Sequence, residues 1–333
     1  MKIGIVTLQG LNNYGNRLQN YALQKFLQEE YNCDVVSLIS KHDSLENKKK
    51  IKSERKLNFK NFNNENINIQ IFNSSKELFE IGKTLDLAVI GSDQIWCPWV
   101  AKSANYVFAK FVDKEKRMSY APSFGGSKPP FFKRISFTKG IKEINFLSAR
   151  EKSGQRIIKK LTNRDAEVVI DPTMLLDKEE WDNFAKPVDK KKKYLLTYFL
   201  GRVKKHENKI LEIAQKYNYE IIRLNDKKYK ELYSIDPQTF LGYIKNADFV
   251  CTDSFHGAVF SILFEKPFVV FDRDDLHANQ GTRLKTLLKT FKLEDRYIKT
   301  LTNDLLKIDF SLVSEKLEEE KQKSVKFLDK ALR

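Results

Sequence analysis

Short apolar runs alternate with helix-spaced apolar stretches along most of this chain. Residues 2–7, KIGIVT, make a β-branched run, and an Asn/Gly-rich loop follows at 8–15. Leu18, Tyr21, Ala22 and Phe26 then recur at helical spacing, which predicts a helix over 16–29. A second apolar run covers 35–39. This β-α-β opening predicts an α/β domain with a largely parallel sheet. Further strands are predicted at 85–90, 117–120, 144–147 and 168–170. Residues 42–75, rich in Lys, Asn and Glu with weak periodicity, read as an excursion carrying some helix. A second alternating series starts with a strand at 194–199. It continues with a helix to 214, a strand at 220–224, a helix over 239–245 and a buried run at 248–251. A polar turn and a helical pattern to Phe264 follow, Pro267 stops that helix, and 268–271 read as the next strand. A helix over 283–291 and a long charged amphipathic helix over 311–332 complete the series.

The length, 333 residues, favours two domains at ~100–200 residues each. Pro187 and the lysine run in 185–193 read as a linker. The expected division is an N-terminal domain over 1–187, a C-terminal domain over 188–310, and a helix at 311–333 packing back on the first domain. Two α/β halves joined in this way imply a cleft, the default ligand site. No apolar run approaches the ~18 residues of a membrane span, and the N-terminus enters a strand without a signal-peptide pattern. A cytoplasmic protein is expected. Cys33, Cys97 and Cys251 lie far apart, which points to reduced structural thiols.

The formal charge is +16, from 60 Lys+Arg against 44 Asp+Glu. That balance fits a polyanionic neighbour or a simply solvated lysine-rich surface. Local runs occur at 48–50 and 190–193. No zinc finger, RRM signature or basic-aromatic block occurs, which ranks a membrane surface or plain solvation above nucleic acid. The four histidines, His42, His206, His256 and His277, show no metal-ligand spacing. GxGxxG, Walker A, HExxH and GxSxG are all absent.

Nearly every predicted strand ends in small, polar or charged residues. Alone, each string serves equally well as a helix cap or a turn. Together they read as a lined pocket, because open α/β sheets bind ligands at their carboxyl edges. The strings also resemble the polysaccharide pyruvyl transferase family in their order. They are Asn13-Tyr14-Gly15-Asn16-Arg17-Leu18-Gln19, Gly91-Ser92-Asp93-Gln94-Ile95-Trp96, Ser119-Tyr120-Ala121 with Ser123-Phe124-Gly125, Ser148 with Arg150-Glu151, Asp171-Pro172-Thr173, and Asp253-Ser254-Phe255-His256-Gly257 with Lys266-Pro267-Phe268.

That resemblance implies two Rossmann-like domains facing a cleft, similar to the GT-B glycosyltransferases. It implies transfer of a pyruvyl group from phosphoenolpyruvate to a sugar of a surface-polysaccharide precursor, with a ketal bridging two hydroxyls. Phosphoenolpyruvate is then a co-substrate, no cofactor or metal is expected, and the acceptor is a glycan, in some members lipid-linked. An anionic membrane face is a further expected contact. On this reading His256 is the candidate general acid at the enol carbon, and Asp93 orients or deprotonates the acceptor hydroxyl. Arg150, Ser254, Gly257 and Arg283, the last near Asn279 and Gln280, are the expected donor contacts. Asn13, Asn16, Gln19 and Gln94 are the expected acceptor contacts. Some branches of the family carry an arginine in the turn before the histidine. Here Ser254 and Phe255 stand there, so either another cation holds the donor or the donor differs. Two other readings stay open: a GT-B glycosyltransferase with a ribose carboxylate from Asp272 or Asp274-Asp275, and a non-catalytic carbohydrate-binding subunit.

Overall fold

Strand β1 (Lys2–Val6) runs through the middle of a five-stranded parallel sheet in the computed structural model of the chain. The structure describes residues 1–41, 53–97, 103–126, 133–189, 191–274, 281–301 and 304–333. The lysine run at 48–50, Lys190, His42, His277, Asp275, Asn279 and Gln280 lie outside them. The described residues divide into two units, Met1–Leu175 with Glu319–Arg333, and Leu176–Glu318.

In the first unit, β1 is followed by α1 (Tyr14–Tyr31), β2 (Asp34–Ser40), α2 (Glu54–Asn66), β3 (Ile69–Phe72), α3 (Ser75–Lys83) and β4 (Leu87–Asp93). Then come α4 (Ala104–Val107), β5 (Arg117–Pro122), α5 (Arg134–Lys142), β6 (Ser148–Ala149), α6 (Lys152–Thr162) and β7 (Glu167–Val168). The strand order is β3-β2-β1-β4-β5, and β6 pairs with β7 in a small parallel sheet. Every residue of β4 and β5 is buried, as expected of parallel strands covered on both faces. Beneath them Trp96, Phe108, Phe124 and Phe137 form an aromatic core, with Phe108 and Phe137 edge-to-face at 5.1 Å. The 42–75 excursion contains α2 and the edge strand β3. Three of its four residues are half-buried, which shows why periodicity is weak there: an edge strand has no neighbouring strand on one side. The strand predicted at 144–147 is reduced to a single bridge, Phe146 on Met118, before β6.

The second unit holds α7 (Lys178–Phe184), β8 (Tyr194–Tyr198), α8 (Glu207–Tyr217), β9 (Glu220–Leu224), α9 (Lys230–Ser234), α10 (Pro237–Asn246), β10 (Phe249–Thr252), α11 (Phe255–Leu263), β11 (Phe268–Val270) and α12 (Gly281–Thr290). Its sheet order is β11-β10-β8-β9, all parallel. Helix α7 belongs here and not to a domain ending at 187, because fully buried Trp181 packs edge-to-face on Phe260 at 5.1 Å. The last helix, α13 (Phe310–Leu332), contributes Glu319 onward to the first unit. There Ser324 Oγ accepts from the Ile170 amide at 3.1 Å and the Tyr31 hydroxyl donates to Asp329 at 2.9 Å. Cys33, Cys97 and Cys251 are buried and unbridged. Among the described residues, no helix is long and apolar enough to cross a membrane.

Candidate functional site

Each sheet has one place where successive connections leave in opposite directions. In the first unit it lies between β1 and β4, in the second between β8 and β10. Ligands of open α/β sheets bind outside the strand ends at such points.

At the first point lies a cavity of about 580 Å³, lined in part by Gln9, Asn13, Asn16, Phe72, Asp93, Gln94 and Tyr106. Asn13 caps α1, its side chain accepting from the Asn16 amide at 3.2 Å. Asn16 is the hub of this wall. Its Oδ1 accepts from the Gly10 amide at 3.0 Å and from Arg17 Nη2 at 2.8 Å, and its Nδ2 donates to Asp93 Oδ2 at 3.2 Å. Arg17, fully buried, also donates to Gln9 Oε1 at 2.7 Å and to the Leu8 carbonyl. Burial pushes its guanidinium down to about 10, partly offset by Tyr106 and Asp93. Tyr106 closes the back, its hydroxyl contacting the Thr7 and Leu38 carbonyls at 3.0 and 2.7 Å.

Asp93 ends β4 with φ of 57°, a left-handed backbone that costs a non-glycine residue ~1–3 kcal/mol. The turn is held because the Asp93 carbonyl accepts from the Ser123 amide at 2.7 Å. Its other carboxylate oxygen, Oδ1, accepts from Arg150 Nη2 at 3.2 Å. Arg150 Nη1 donates to Asp171 Oδ2 at 2.6 Å, and Asp171 is itself fixed by Ser92 Oγ at 3.2 Å and by the Thr173 hydroxyl at 2.8 Å. Burial alone would lower the Arg150 pKa, but Asp171, Asp93 and Glu151 outweigh it and raise it.

Two of the expected contacts have partners inside the first unit. Arg150, taken as a donor contact, has 1% of its side chain exposed and bridges two carboxylates, Asp93 on the cavity wall and Asp171 behind it. Its guanidinium holds the Asp93 carboxylate in place. Gln19, taken as an acceptor contact, is fully buried behind the cavity. Its amide donates to Thr7 Oγ1 and to the Asn16 carbonyl, both at 2.9 Å, and accepts from the Ser92 amide at 3.2 Å. All of its hydrogen-bonding reach is spent joining α1 to β1 and β4. Asn13, Asn16, Gln94 and Asp93 do come together on the cavity, and the side-chain Nε2 atoms of Gln94 and Gln9 are buried there without a hydrogen-bond partner.

At the second point, Asp253 holds the loop after β8, its carboxylate accepting from the Leu200 and Gly201 amides at 2.7 and 2.8 Å. Ser254 caps α11 by accepting from the Gly257 amide at 3.3 Å. That amide is therefore not offered to a donor, and the role of Gly257 is steric. A Cβ there would lie 2.3 Å from Thr252 Oγ1, which accepts from the Ser254 amide at 3.0 Å and donates to the Tyr198 carbonyl at 2.6 Å. Gly257→Ala gains ~1 kcal/mol of helix propensity, yet the clash should win and leave a net loss of about 1–2 kcal/mol, read as a lower urea midpoint. His256, 4% exposed, stands in the first turn of α11 with its ring edge-to-face to Phe255 at 5.3 Å. Arg283 lies on α12, which packs against α11. Of the carboxylates that a ribose would need, Asp272 pairs with Lys299 at 2.8 Å and with Tyr297, and Asp274 with Lys205 at 3.4 Å, while Asp275 lies outside the described residues. Among the described residues, no cluster of His, Cys, Asp and Glu is fit to hold a metal.

Comparison with solved structures finds proteins of similar α/β fold. UDP-GlcNAc 2-epimerase from Neisseria meningitidis, solved with UDP-GlcNAc, aligns at a TM-score of 0.51 and 10% identity, covering 99% of this chain and 100% of the other. A putative UDP-N-acetylglucosamine 2-epimerase from Listeria monocytogenes aligns at 0.50 and 11% identity, over 98% and 96%. MurG from Acinetobacter baumannii aligns at 0.47 and 12% identity, over 96% and 94%. At these identities the likeness carries the fold alone, which is α/β and GT-B-like. No curated protein matches the sequence. The sequence model described as Polysaccharide pyruvyl transferase, by contrast, matches residues 13–275. With most of its length matched, and every strand-end string inside that span, this chain belongs to the polysaccharide pyruvyl transferase family, a family of transferases.

Proposed function

We propose that this protein moves a pyruvyl group from phosphoenolpyruvate to two hydroxyls of a sugar in a surface-polysaccharide precursor. The observation that carries the reading is the Asp253–Gly257 string at the β10 edge, where it opens α11 with buried His256 in its first turn. Protonation of C3 of the donor turns its CH2 into CH3 and leaves C2 electrophilic. One hydroxyl adds at C2, phosphate leaves with the C2–O bond pair, and the second hydroxyl closes the ketal. Of the two hydroxyl protons, one balances the proton given to C3 and the other leaves with phosphate. His256 supplies the proton to C3, and Asp93 accepts from an acceptor hydroxyl. The α11 N-terminus and Arg283 support the donor's negative charge. The acceptor rests on Asn13, Asn16 and Gln94. The +16 charge favours an anionic donor, a lipid-linked acceptor and a peripheral position on an anionic membrane face from the cytoplasmic side.

A coupled phosphate-release assay with phosphoenolpyruvate and a panel of aryl and lipid-linked glycosides tests this. Phosphate release that requires both partners is expected. Turnover of a nucleotide sugar with none of phosphoenolpyruvate would replace the reading by glycosyl transfer, and glycoside binding without any turnover would replace it by a binding subunit.

A further inference from the structure

We infer that Arg17 is a positioning residue for Asp93, acting through the side-chain amide of Asn16. Asp93 enters as the group proposed above to accept from the acceptor hydroxyl, and the inference rests on that reading. Arg17, in the first turn of α1, is fully buried, whereas Asn16 and Asp93 line the cavity.

The orientation of the Asn16 amide follows from what its neighbours can do. A guanidinium and a backbone N–H only donate. The Asn16 atom that lies 2.8 Å from Arg17 Nη2 and 3.0 Å from the Gly10 nitrogen is therefore its oxygen. That leaves the NH2 end for Asp93, whose Oδ2 lies 3.2 Å away and accepts. The amide thus lies head to tail between a buried cation and a carboxylate. Each bond in such a chain strengthens the next, because the groups polarise one another where the dielectric is low. With Arg150 on Oδ1 and Asn16 on Oδ2, each oxygen of Asp93 has a donor from a different element.

The guanidinium fork suits this task. Nη1 donates to Gln9 Oε1 at 2.7 Å and to Asn63 Oδ1 at 3.5 Å, and Nη2 donates to Asn16 Oδ1 and the Leu8 carbonyl. All four acceptors are neutral. A buried cation on neutral partners is costly to keep. Burial accordingly lowers the Arg17 pKa to about 10, while Tyr106 and the charge of Asp93 act in the opposite direction. The attraction between Arg17 and Asp93 across Asn16 offsets part of that cost and keeps the three groups in line.

Arg17→Lys keeps the charge, but a single ammonium does not span Gln9 and Asn16 as the fork does. With phosphoenolpyruvate and the aryl glycoside that the native protein turns over fastest, this variant should lower kcat about 10- to 100-fold and leave the phosphoenolpyruvate KM within about 2-fold of native. In an Asp93→Asn background the same change should cost less than about 2-fold, because the route to the carboxylate is already cut. An equal loss in both backgrounds, or a native kcat per folded molecule with a lower urea midpoint, would make Arg17 scaffolding alone and overturn the inference. Should lysine not fold at position 17, Asn16→Ser removes the bridging amide and leaves Arg17 in place. Its loss should likewise vanish in the Asp93→Asn background, and a loss that persists there would count against the bridge equally. The side-chain signals of Asn16 in protein labelled with 15N-asparagine report the bridge without turnover. They should move in Arg17→Lys and in Asp93→Asn. Signals that stay in place in either variant would overturn the inference whatever the activity. Signals that move, in a protein that releases no phosphate with any glycoside, would uphold the bridge and sink only the transfer reading.

Discussion

Replacing Arg150 by methionine should cost about 3–5 kcal/mol of stability and lower the guanidinium midpoint accordingly. The guanidinium is 1% exposed, and its partners Asp93 and Asp171 have 8% and 0% of their side chains exposed. Methionine fits the volume but strands two carboxylates, Asp93 on the cavity wall and Asp171 behind it. The penalty comes from this uncompensated charge more than from the lost ion pairs, since a buried pair roughly balances its own desolvation. Protonating the stranded carboxyls removes the charge, so the gap to the native protein should narrow as pH falls. Unfolding at pH 5 and pH 8 would check that sign. Arg150→Lys should sit between the two, because a single ammonium does not span both carboxylates as the planar fork does. The double variant Arg150→Met, Asp171→Asn should recover part of the loss. A stability unchanged within about 0.5 kcal/mol would mean that the charges are not buried as described.

His256→Gln should lower kcat for phosphate release by about 10²–10⁴-fold while leaving the unfolding midpoint close to native. Glutamine keeps a polar side chain of similar reach at this buried helical position but supplies no proton. Product made in deuterium oxide should carry one deuterium in its new methyl group, since the CH2 carbon of the donor gains a single solvent proton. Full activity in the glutamine variant would remove His256 from the chemistry. A large fall in both activity and midpoint would instead mark the ring as a packing element against Phe255.

Much of the fold was legible because its signals are local. The β1-α1-β2 opening shows in a β-branched run, an Asn/Gly loop and helical spacing at Leu18, Ala22 and Phe26. The cap of α11 by Ser254 spans three residues. Edge strand β3 escaped notice because its half-exposed pattern imposes little periodicity. Arg17 and Tyr106 were passed over for another reason. One sits inside a matched string without any sign of burial, and the other lies far along the chain from the residues whose carbonyls it contacts, Thr7 being 99 positions away.

The sequence by itself determined the class of the fold, the family, and which polar residues stand at the strand ends. Strand and helix periodicity and capping depend on near neighbours, so one chain suffices to show them. Only the tertiary structure decided which of those polar groups satisfy one another and which remain on the cavity. Arg150 meets Asp93 across 57 positions and Gln19 meets Ser92 across 73. Once buried, each of these groups must find a partner or pay its desolvation. Arg150 and Gln19 found theirs inside the protein and became scaffolding, whereas Gln9, Gln94 and Asp93 remain on the cavity wall.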